Sequence, residues 1–325
     1  MKDYSVTLKI MAILADGEFH SGEQLGQELG MSRAAINQHL KILEEWGVNT
    51  NRVTGKGYCL IEPINLLDQT VLSQLYHINN VEVISVIDST NQYLLNNIDK
   101  LNSGDTCLAE YQQAGRGRRG GKWFSPFGTN LYLSMYWRLE QGPAAAMGLS
   151  LVVGIVIAET LIQFGCGDVK VKWPNDLYIN DRKLAGILVE MTGKTGDVAH
   201  IVIGAGINIS MKSDPLSVIN QHWTSLYQEG IVVDRNEFSA AVIENLRHAL
   251  TIFEIQGMAP FLPRWHVLDN FLNKPVKLII GEREVFGIER GINEFGALLL
   301  EHEGEVKAWV GGEISLRAAN PPDLR

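Results

Sequence analysis

Four glycines and four cations share eight consecutive residues, Gly115-Arg116-Gly117-Arg118-Arg119-Gly120-Gly121-Lys122, in a chain whose net charge is −9. Glycine has no Cβ, so its backbone N–H can approach a bound group closely and take positive φ. Successive N–H groups in such turns form concave anion sites, and arginine adds planar two-pronged donors for carboxylate or phosphate. One reading is a loop that closes over a small anionic ligand. The other is a solvated segment, or an RGG-like one of the kind that holds single-stranded RNA. RGG segments recur, whereas this one occurs once and runs straight into Trp123, Phe124, Pro126, Phe127 and the apolar stretch Leu131–Trp137. A cationic loop inside foldable sequence points to a ligand site.

Other stretches break their local pattern. Val81–Ile87 reads as a buried strand delivering Asp88-Ser89-Thr90-Asn91 to a helix Gln92–Ile98. Ser, Thr and Asn at a helix start cap its free N–H groups, and they can also offer hydroxyl and amide groups to a ligand held there. Taken alone, these are caps. Val169–Ile179 and Lys183–Met191 alternate like a hairpin around Asn180-Asp181, but Trp173-Pro174-Asn175-Asp176 interrupts the first with a proline that cannot donate to a ladder. Strand alternation puts Lys183 on the pleat face of Ile187 and Val189, with Ala185 and Gly186 leaving space beside it. By spacing alone it is an exposed strand-end lysine. Ile201–Ile209 is a strand broken by Gly204-Ala205-Gly206 ahead of Asn208. No helix follows and the third glycine is missing, so this is not a dinucleotide fingerprint. The glycines let a ligand lie against the strand.

The elements that must position these residues fall into three groups. Val6–Ala15, Gly22–Leu29 and Arg33 to about Trp46 read as short helices, the second and third capped by Ser21 and Ser32. The three-residue turn Gly30-Met31-Ser32 suits a helix-turn-helix, and the third helix shows Ser32, Arg33, Asn37, Gln38 and Lys41 outward. Val48–Leu60 folds back around Gly55-Lys56-Gly57 as a wing. A three-helix protein-interaction module shares the core pattern; the short turn, polar third helix and basic wing favour DNA. After Glu62-Pro63 come a helix Leu66–Tyr76, strands Thr106–Tyr111 and Leu131–Trp137, a long apolar helix Ala144–Phe164 with Gly148 and Gly154 packed on a sheet, and a helix Asp234–Ile255. From Phe271 onward, five short strands (275–280, 284–292, 297–301, 305–310, 314–317) imply a small barrel.

A chain of 325 residues has room for two or three domains, and 46% hydrophobic with 20% charged residues is ordinary globular composition. Cys59, Cys107 and Cys166 are widely spaced and the eight histidines show no ligand spacing, so neither a disulfide framework nor a structural metal is expected. No signal pattern opens the chain and no apolar run approaches the ~20 residues that span a bilayer, which implies a cytoplasmic protein with no membrane partner.

Laid out this way, the chain closely resembles the bifunctional biotin–protein ligases that also act as biotin operon repressors. The likeness rests on Asp88-Ser89-Thr90-Asn91, Gly115-Arg116-Gly117-Arg118, Lys172-Trp173-Pro174-Asn175-Asp176, Lys183-Leu184-Ala185-Gly186-Ile187-Leu188-Val189-Glu190 and Gly204-Ala205-Gly206-Ile207-Asn208, in the family's order. It implies an α+β, multidomain fold: an N-terminal winged helix-turn-helix (1–62), a central α/β ligase domain with a class II synthetase-like mixed sheet (63–270) and a C-terminal SH3-like β-barrel (271–325). It implies two reactions. The biotin carboxylate attacks the α-phosphorus of ATP, giving biotinyl-5′-adenylate and pyrophosphate, and a lysine of the biotin carboxyl carrier protein then attacks the mixed anhydride.

By the same resemblance Lys183 and Arg118 are the catalytic residues. Ser89, Thr90, Asn91, Gln112, Arg116, Gly117, Gly186, Gly204 and Gly206 join them at biotin. Arg116, Arg118, Lys122, Trp123, Asn175, Asp176, Asn208, Trp223 and Arg317 serve the nucleotide, with Asp176 a contact for Mg²⁺. Gly22, Ser32, Arg33, Asn37, Gln38, Lys41 and Lys56 face operator DNA. Biotin is substrate and corepressor, and its adenylate promotes a homodimer, whose edge is expected around Val189–Thr195 and Gly142-Pro143-Ala144. One departure concerns the loop, where the family commonly has Gly-Arg-Gly-Arg-x-Gly-Arg-x-Trp and Gly121 stands in place of the last arginine. Two other functions fit parts of the pattern: a lipoate–protein ligase, which shares the scaffold, and a ligand-sensing repressor without enzyme activity.

Overall fold

The structure is a computed structural model and describes residues 3–77, 80–193, 197–214, 218–311 and 314–319. Helices α1 (Ser5–Leu14), α2 (Gly22–Leu29) and α3 (Arg33–Glu45) pack around Ile10, Leu14, Leu25, Ile36 and Leu43. Ser21 and Gln24 exchange side-chain and backbone bonds as a capping box, Gly30 closes α2 at φ 65, and Ser32 caps α3. Strands β1 (Thr50–Val53) and β2 (Gly57–Leu60) form the wing hairpin.

Trp46, just past α3, is the rivet to the next module. Its ring stacks on Phe127 and on Tyr111, each with centroids 5.4 Å apart, and its carbonyl accepts from Phe127 N–H at 2.8 Å. The helix expected over 66–76 is shorter: α4 is Gln69–Gln74, continued by one tighter turn, Leu75–His77. Leu67 N–H instead donates to the buried Glu110 carboxylate at 2.5 Å, and Asp68 caps α4, so the helix cannot begin earlier.

The central module follows with β3 (Val81–Ile87), α5 (Thr90–Leu95), β4 (Thr106–Gln112), β5 (Leu131–Leu139), α6 (Leu149–Gln163), β6 (Lys170–Lys172), β7 (Asp176–Ile179), β8 (Arg182–Thr192), β9 (Ala199–Ile207), α7 (Arg235–Gln256) and α8 (Leu262–Leu268). Its seven strands lie in the order β3-β4-β5-β9-β8-β7-β6, parallel between β3 and β4 and antiparallel elsewhere. One sheet face carries the main core with α6 and α7; the other holds Cys107, Tyr136 and Val202 under Leu94 of α5.

Four details differ from the sequence reading. Helix α5 begins at Thr90, two residues early, because Ser89 rather than Asn91 is its cap. The long apolar helix is broken: Pro143–Ala146 is a separate 3₁₀ turn, and Gly148 at φ 81 caps α6 beside Met258 instead of packing on the sheet. Gly154 does pack closely, since a Cβ there would lie 3.0 Å from Val171. Pro143–Gln163 is also 21 residues long with mean hydropathy 2.2, enough for a membrane span by length and composition, contrary to the reading of the sequence. It is the core helix, facing the sheet through Val153, Ile157 and Leu161, all fully buried. Finally, Val169–Ile179 is two strands rather than one. Pro174 cannot donate, so Trp173-Pro174-Asn175 becomes the turn between β6 and β7, closed by Asn175 N–H to Lys172 O at 3.1 Å.

The C-terminal module is an antiparallel sheet of β10 (Pro275–Ile280), β11 (Arg283–Ile292), β12 (Leu298–His302), β13 (Glu305–Trp309) and β14 (Ile314–Ala318), in the order β13-β12-β11-β10-β14. Among the described residues its two edge strands are not paired with each other, so the expected barrel is open on that side. Leu278, Leu298, Leu300 and Leu316 join the same hydrophobic core as α6 and the large sheet, which seats this module firmly.

Candidate active site and DNA-facing module

A cavity of about 340 Å³ opens on the α5 side of the large sheet, where the first turn of α5, the glycine–arginine loop, β7, β8 and β14 converge. Its inner end is neutral and polar. Ser89, Thr90 and Asn91 are buried there, pointing into the protein as well as capping. Thr90 donates its backbone N–H to Gln112 Oε1 at 3.0 Å, and Gln112 donates to Ser125 Oγ at 3.0 Å. Ser134 Oγ lies 2.7 Å from Thr90 Oγ1 and 2.5 Å from Asn91 Oδ1, while Asn91 donates to Glu190 at 2.9 Å. Ser134 and Glu190 escaped the sequence reading of the site. Their only signal was a lone polar residue inside an otherwise apolar strand run.

The outer end is cationic. Loop hydrogen bonds from Gly117 N–H to Gly121 O (2.7 Å), Gly121 N–H to Arg118 O (3.0 Å) and Trp123 N–H to Gly115 O (2.9 Å) fold the stretch back on itself. A Cβ at Gly115 would run into the Trp123 carbonyl, so glycine is required there. Arg116 pairs with Glu190 and donates to Gln92 at 2.7 Å; Arg118 donates to Asn175 at 2.9 Å. Burial, with Arg119 beside it, lowers the Arg118 pKa from its ordinary value. Lys183 sits 2.8 Å from Asp176 and 5.5 Å from the centre of the Trp123 ring.

Lys183 corrects an expectation. The register between β7 and β8 slips between Leu177 and Tyr178, so Tyr178 pairs with Lys183 while Leu177 pairs with Ala185. That bulge inserts one residue and turns Lys183 off the Ile187 face. Its Nζ would lie 3.4 Å from a Cβ on Gly186, which places the amine on the cavity side. The glycines correct another. A Cβ at Gly206 would strike the Trp123 indole, one at Gly186 would come within 2.9 Å of it, and one at Gly204 would strike the Asn91 amide. The space these glycines provide is filled by the protein's own side chains, which hold the cavity walls in place. Trp123 Nε1 is buried there without a hydrogen-bond partner among the described residues.

Lys172, not among the site residues expected from the sequence, also lines the cavity. It is almost fully buried, and burial together with the neighbouring Arg317 charge pushes its pKa down to about 8. Among the described residues the cavity lining then holds Arg116, Arg118, Arg119, Lys122, Lys172, Lys183 and Arg317 against the single carboxylate of Asp176. Among the described residues no three His, Cys, Asp or Glu side chains cluster as metal ligands.

Asn208 and Trp223 lie elsewhere. They line a larger neighbouring cleft of about 1330 Å³ that reaches Glu45 and Trp46, with the glycine–arginine loop and Trp123 as the partition. Asn208 is buried and donates to Thr224 O at 2.9 Å, while Trp223 bridges to Lys183 through backbone. In the N-terminal module Ser32, Arg33, Gln38, Lys41 and Lys56 are exposed, but Asn37 accepts from Tyr58 O–H at 2.7 Å. Gly22 is buried, its missing Cβ leaving room for Arg33 to lie across it at 3.3 Å.

Three matches place the chain among known proteins. Residues 83–208 match the biotin/lipoate A/B protein ligase family, 271–317 the biotin protein ligase C-terminal domain and 6–59 an HTH domain. The bifunctional ligase/repressor BirA of Escherichia coli is 65% identical over 98% of this chain and 99% of its own length. BirA of Salmonella typhimurium is 64% identical over 98% of this chain and 100% of its own. The solved biotin protein ligase from Aquifex aeolicus in complex with biotin and ATP aligns with a TM-score of 0.64 at 29% identity, covering 74% of this chain and 100% of that one. The chain belongs to the BirA family of bifunctional ligase/repressors.

Proposed function

We propose that the cavity joins biotin to AMP and passes the biotinyl group to a carrier-protein lysine, while the winged helix carries the same ligand state to an operator. The observation behind this is the division of the cavity: a neutral hydrogen-bonding end and an end with seven cations facing one carboxylate. A small neutral ring with a carboxylate tail and a nucleotide triphosphate match those two ends.

In this reading Ser89, Thr90, Asn91, Gln112 and Ser134 hold the uncharged head of biotin, and the rim formed by Gly186, Gly204 and Gly206 keeps Asn91 and Trp123 in place around it. Lys183 then lies where the carboxylate meets the α-phosphorus. As the new P–O bond forms, charge builds on the phosphoryl oxygens, and a fixed ammonium stabilises that state more than the separated reactants. Arg116, Gly117 and Arg118 fold over the junction, and Lys122, Asn175 and Arg317 lie toward the phosphates. Asp176 would hold a Mg²⁺ bound to the triphosphate, which would offset the charge of the phosphates. The adenine is assigned to the neighbouring cleft across the loop, where Asn208 and Trp223 lie.

We assign 1–62 to DNA binding, 63–270 to catalysis and 271–325 to the C-terminal module. Gly22, Ser32, Arg33, Asn37, Gln38, Lys41 and Lys56 form the operator face. A homodimer forms through β8. Its stretch 185–192 pairs with β9 on one side, whereas β7 reaches only Arg182 to Gly186 on the other, which leaves an edge from Leu188 to Thr192. Such an edge accepts a second copy. Lys194 and Thr195, within the expected dimer strand, lie outside the described residues.

Incubation with labelled biotin, ATP and a carrier protein tests the reading. Label on the carrier, dependent on both substrates, is expected; lipoate driving ATP–pyrophosphate exchange in place of biotin would assign the chain to lipoate transfer. Sedimentation with and without biotinyl-adenylate then tests dimerisation. Unchanged mass at micromolar protein would remove the dimer.

A further inference from the structure

Ser134 and Glu190 lie outside the wall of the cavity, yet both are bonded to residues that form it. Gly204 stands between their strands, opposite Ser134 of β5 on one side and Leu188 of β8 on the other. The Asn91 amide fills the gap that this glycine leaves. Its nitrogen donates to one Glu190 oxygen at 2.9 Å and to Leu188 O at 3.2 Å. The other Glu190 oxygen pairs with Arg116. Across the gap, Asn91 Oδ1 lies 2.5 Å from Ser134 Oγ, which in turn lies 2.7 Å from Thr90 Oγ1.

Each hydroxyl carries one hydrogen, and that count sets the direction of every bond in the row. A carboxylate and a peptide carbonyl only accept, so the Asn91 nitrogen faces them and Oδ1 faces Ser134. Oδ1 also only accepts, so the Ser134 hydrogen points at it. The 2.7 Å contact between the two hydroxyls then takes the hydrogen of Thr90. Gln112 Oε1 competes for that hydrogen from 3.2 Å, but this is the longer contact, and Oε1 already accepts Thr90 N–H at 3.0 Å. Thr90 lines the cavity, so its hydroxyl shows a ligand a lone pair and no hydrogen.

We propose that Ser134 and Glu190 are positioning residues that fix this direction, and that through it the site selects a head group with a ring N–H over one with an acceptor at the same place. This deepens the biotin reading and rests on it. Neither residue touches the ligand. Glu190 starts the relay because a carboxylate cannot donate to Asn91. Ser134, 0% exposed, passes the direction from Asn91 to Thr90. An acceptor brought up to Thr90 would set lone pair against lone pair and leave a buried polar group unpaired. Such a mismatch discriminates far more strongly than a small difference in shape.

The test is a ratio of affinities in the full-length protein, measured by calorimetric titration without nucleotide. Biotin is compared with the two cyclic carbamates in which one or the other ring N–H is replaced by oxygen, an exchange that changes shape little. The unaltered protein should bind at least one carbamate about 10²-fold or more weakly than biotin. Ser134→Ala frees the Thr90 hydrogen to turn toward the ligand. Glu190→Gln lets either end of a side-chain amide face Asn91, so the relay loses its direction. In both variants the ratio of the carbamate Kd to the biotin Kd should fall by at least about tenfold, the worth of one hydrogen bond to a buried group. A purely structural role would weaken both ligands by the same factor. An unchanged ratio in a variant that folds, loss of fold in both variants, or equal binding of biotin and both carbamates by the unaltered protein would overturn the proposal. Failure of the broader reading would look different: the unaltered protein would not bind biotin at all.

Discussion

Two arginine- or lysine-containing clusters in this protein, one buried and one lining a cavity, differ in whether their charges cancel. Arg235, at the start of α7, is 2% exposed, pairs with Glu110 at 2.8 Å and donates to the carbonyls of Asn65 and Asn130. Glu110, 3% exposed, also accepts from Leu67 N–H. One cation meets one anion, and the remaining bonds tie the linker, β4 and α7 together. The cavity sets seven cationic side chains against Asp176, with Glu190 just outside holding Arg116. The first cluster is complete in the chain itself. The second keeps a net positive charge among the described residues, which suits an anion. Burial of charge alone does not mark a functional site; uncompensated charge beside a cavity does.

Breaking the balanced cluster should therefore injure the fold, and breaking the unbalanced one should injure chemistry. Arg235→Ala leaves Glu110 buried and unpaired, so urea denaturation should show a loss of about 3–5 kcal/mol. If stability barely moves, the two clusters do not differ in the way argued. Lys183→Ala should leave the denaturation midpoint nearly in place while slowing adenylate formation by roughly 10²–10³-fold, the usual loss for one preorganised transition-state contact. Its effect on biotin affinity should be much smaller. Equal losses in rate and affinity would mean that Lys183 serves only the bound ground state.

A third cluster sharpens the contrast because it is unbalanced in the opposite sense. Glu289 of β11 is fully buried beside Asp269, and desolvation together with the Asp269 charge raises its pKa to about 8. Asp269, which accepts from Trp265 Nε1 and Phe271 N–H, is raised as well, chiefly by burial. With both groups ionised, Glu289 Oε2 has no donor among the described residues; a proton on the pair supplies one. A folded-state pKa above the unfolded one means that the folded protein binds the extra proton. Stability from this pair is full below the unfolded value of 4.5 and is lost as pH rises toward about 8. Thermodynamic linkage limits the slope to about 1.4 kcal/mol per pH unit per proton. Glu289→Gln should flatten the fall in stability between pH 5 and 8, as roughly bounded by those two values; an unchanged pH profile would show that the pair is not the cause.

Much of this arrangement was readable in the chain. Capping serines, the Gly30 stop and the short turn located the winged helix, because those features act within a few residues. The glycine–arginine loop and the strand-borne GxG announced close approach. What escaped depends on partners distant in sequence. A one-residue slip between β7 and β8 turns Lys183 to the cavity, and a period-2 pattern cannot reveal a slip that arises from pairing. The break at Gly148 needs Met258 and Phe295 from other elements. Ser134, Glu190 and Lys172 have polar roles only because a helix, a loop and a neighbouring strand bring Thr90, Arg116 and Tyr178 to them.

The DNA-facing module supplies a smaller effect. Arg33→Ala or Lys41→Ala should weaken operator binding and lower the salt slope by about one, as for a lost phosphate contact. Biotin transfer should remain intact, since both side chains are exposed on α3 and neither lines the cavity. Impaired transfer in either variant would mean that the Trp46 stack couples the modules more tightly than separate tasks allow.

The smallest expected change concerns Gly121, where the family pattern has arginine. Its backbone already does the structural work of the loop, donating to Arg118 O and accepting from Gly117 N–H. At φ −62 and ψ 155 the position suits any residue. A Cβ there would lie 3.0 Å from Arg118 O, so a side chain requires a small adjustment of the turn. Gly121→Arg adds an eighth cation at an exposed position, where solvent screens it. The gain should therefore fall at or below the lower end of the ~1.5–3 kcal/mol of a charge-assisted contact. The KM for ATP should drop by less than about tenfold, with the biotin affinity unchanged. Gly121→Ala separates the two contributions: it carries the steric adjustment without the charge and should leave the KM unchanged or slightly higher. If Ala lowers the KM as far as Arg does, stiffening of the loop rather than the added charge is responsible, and the cavity's cations are already sufficient for the triphosphate.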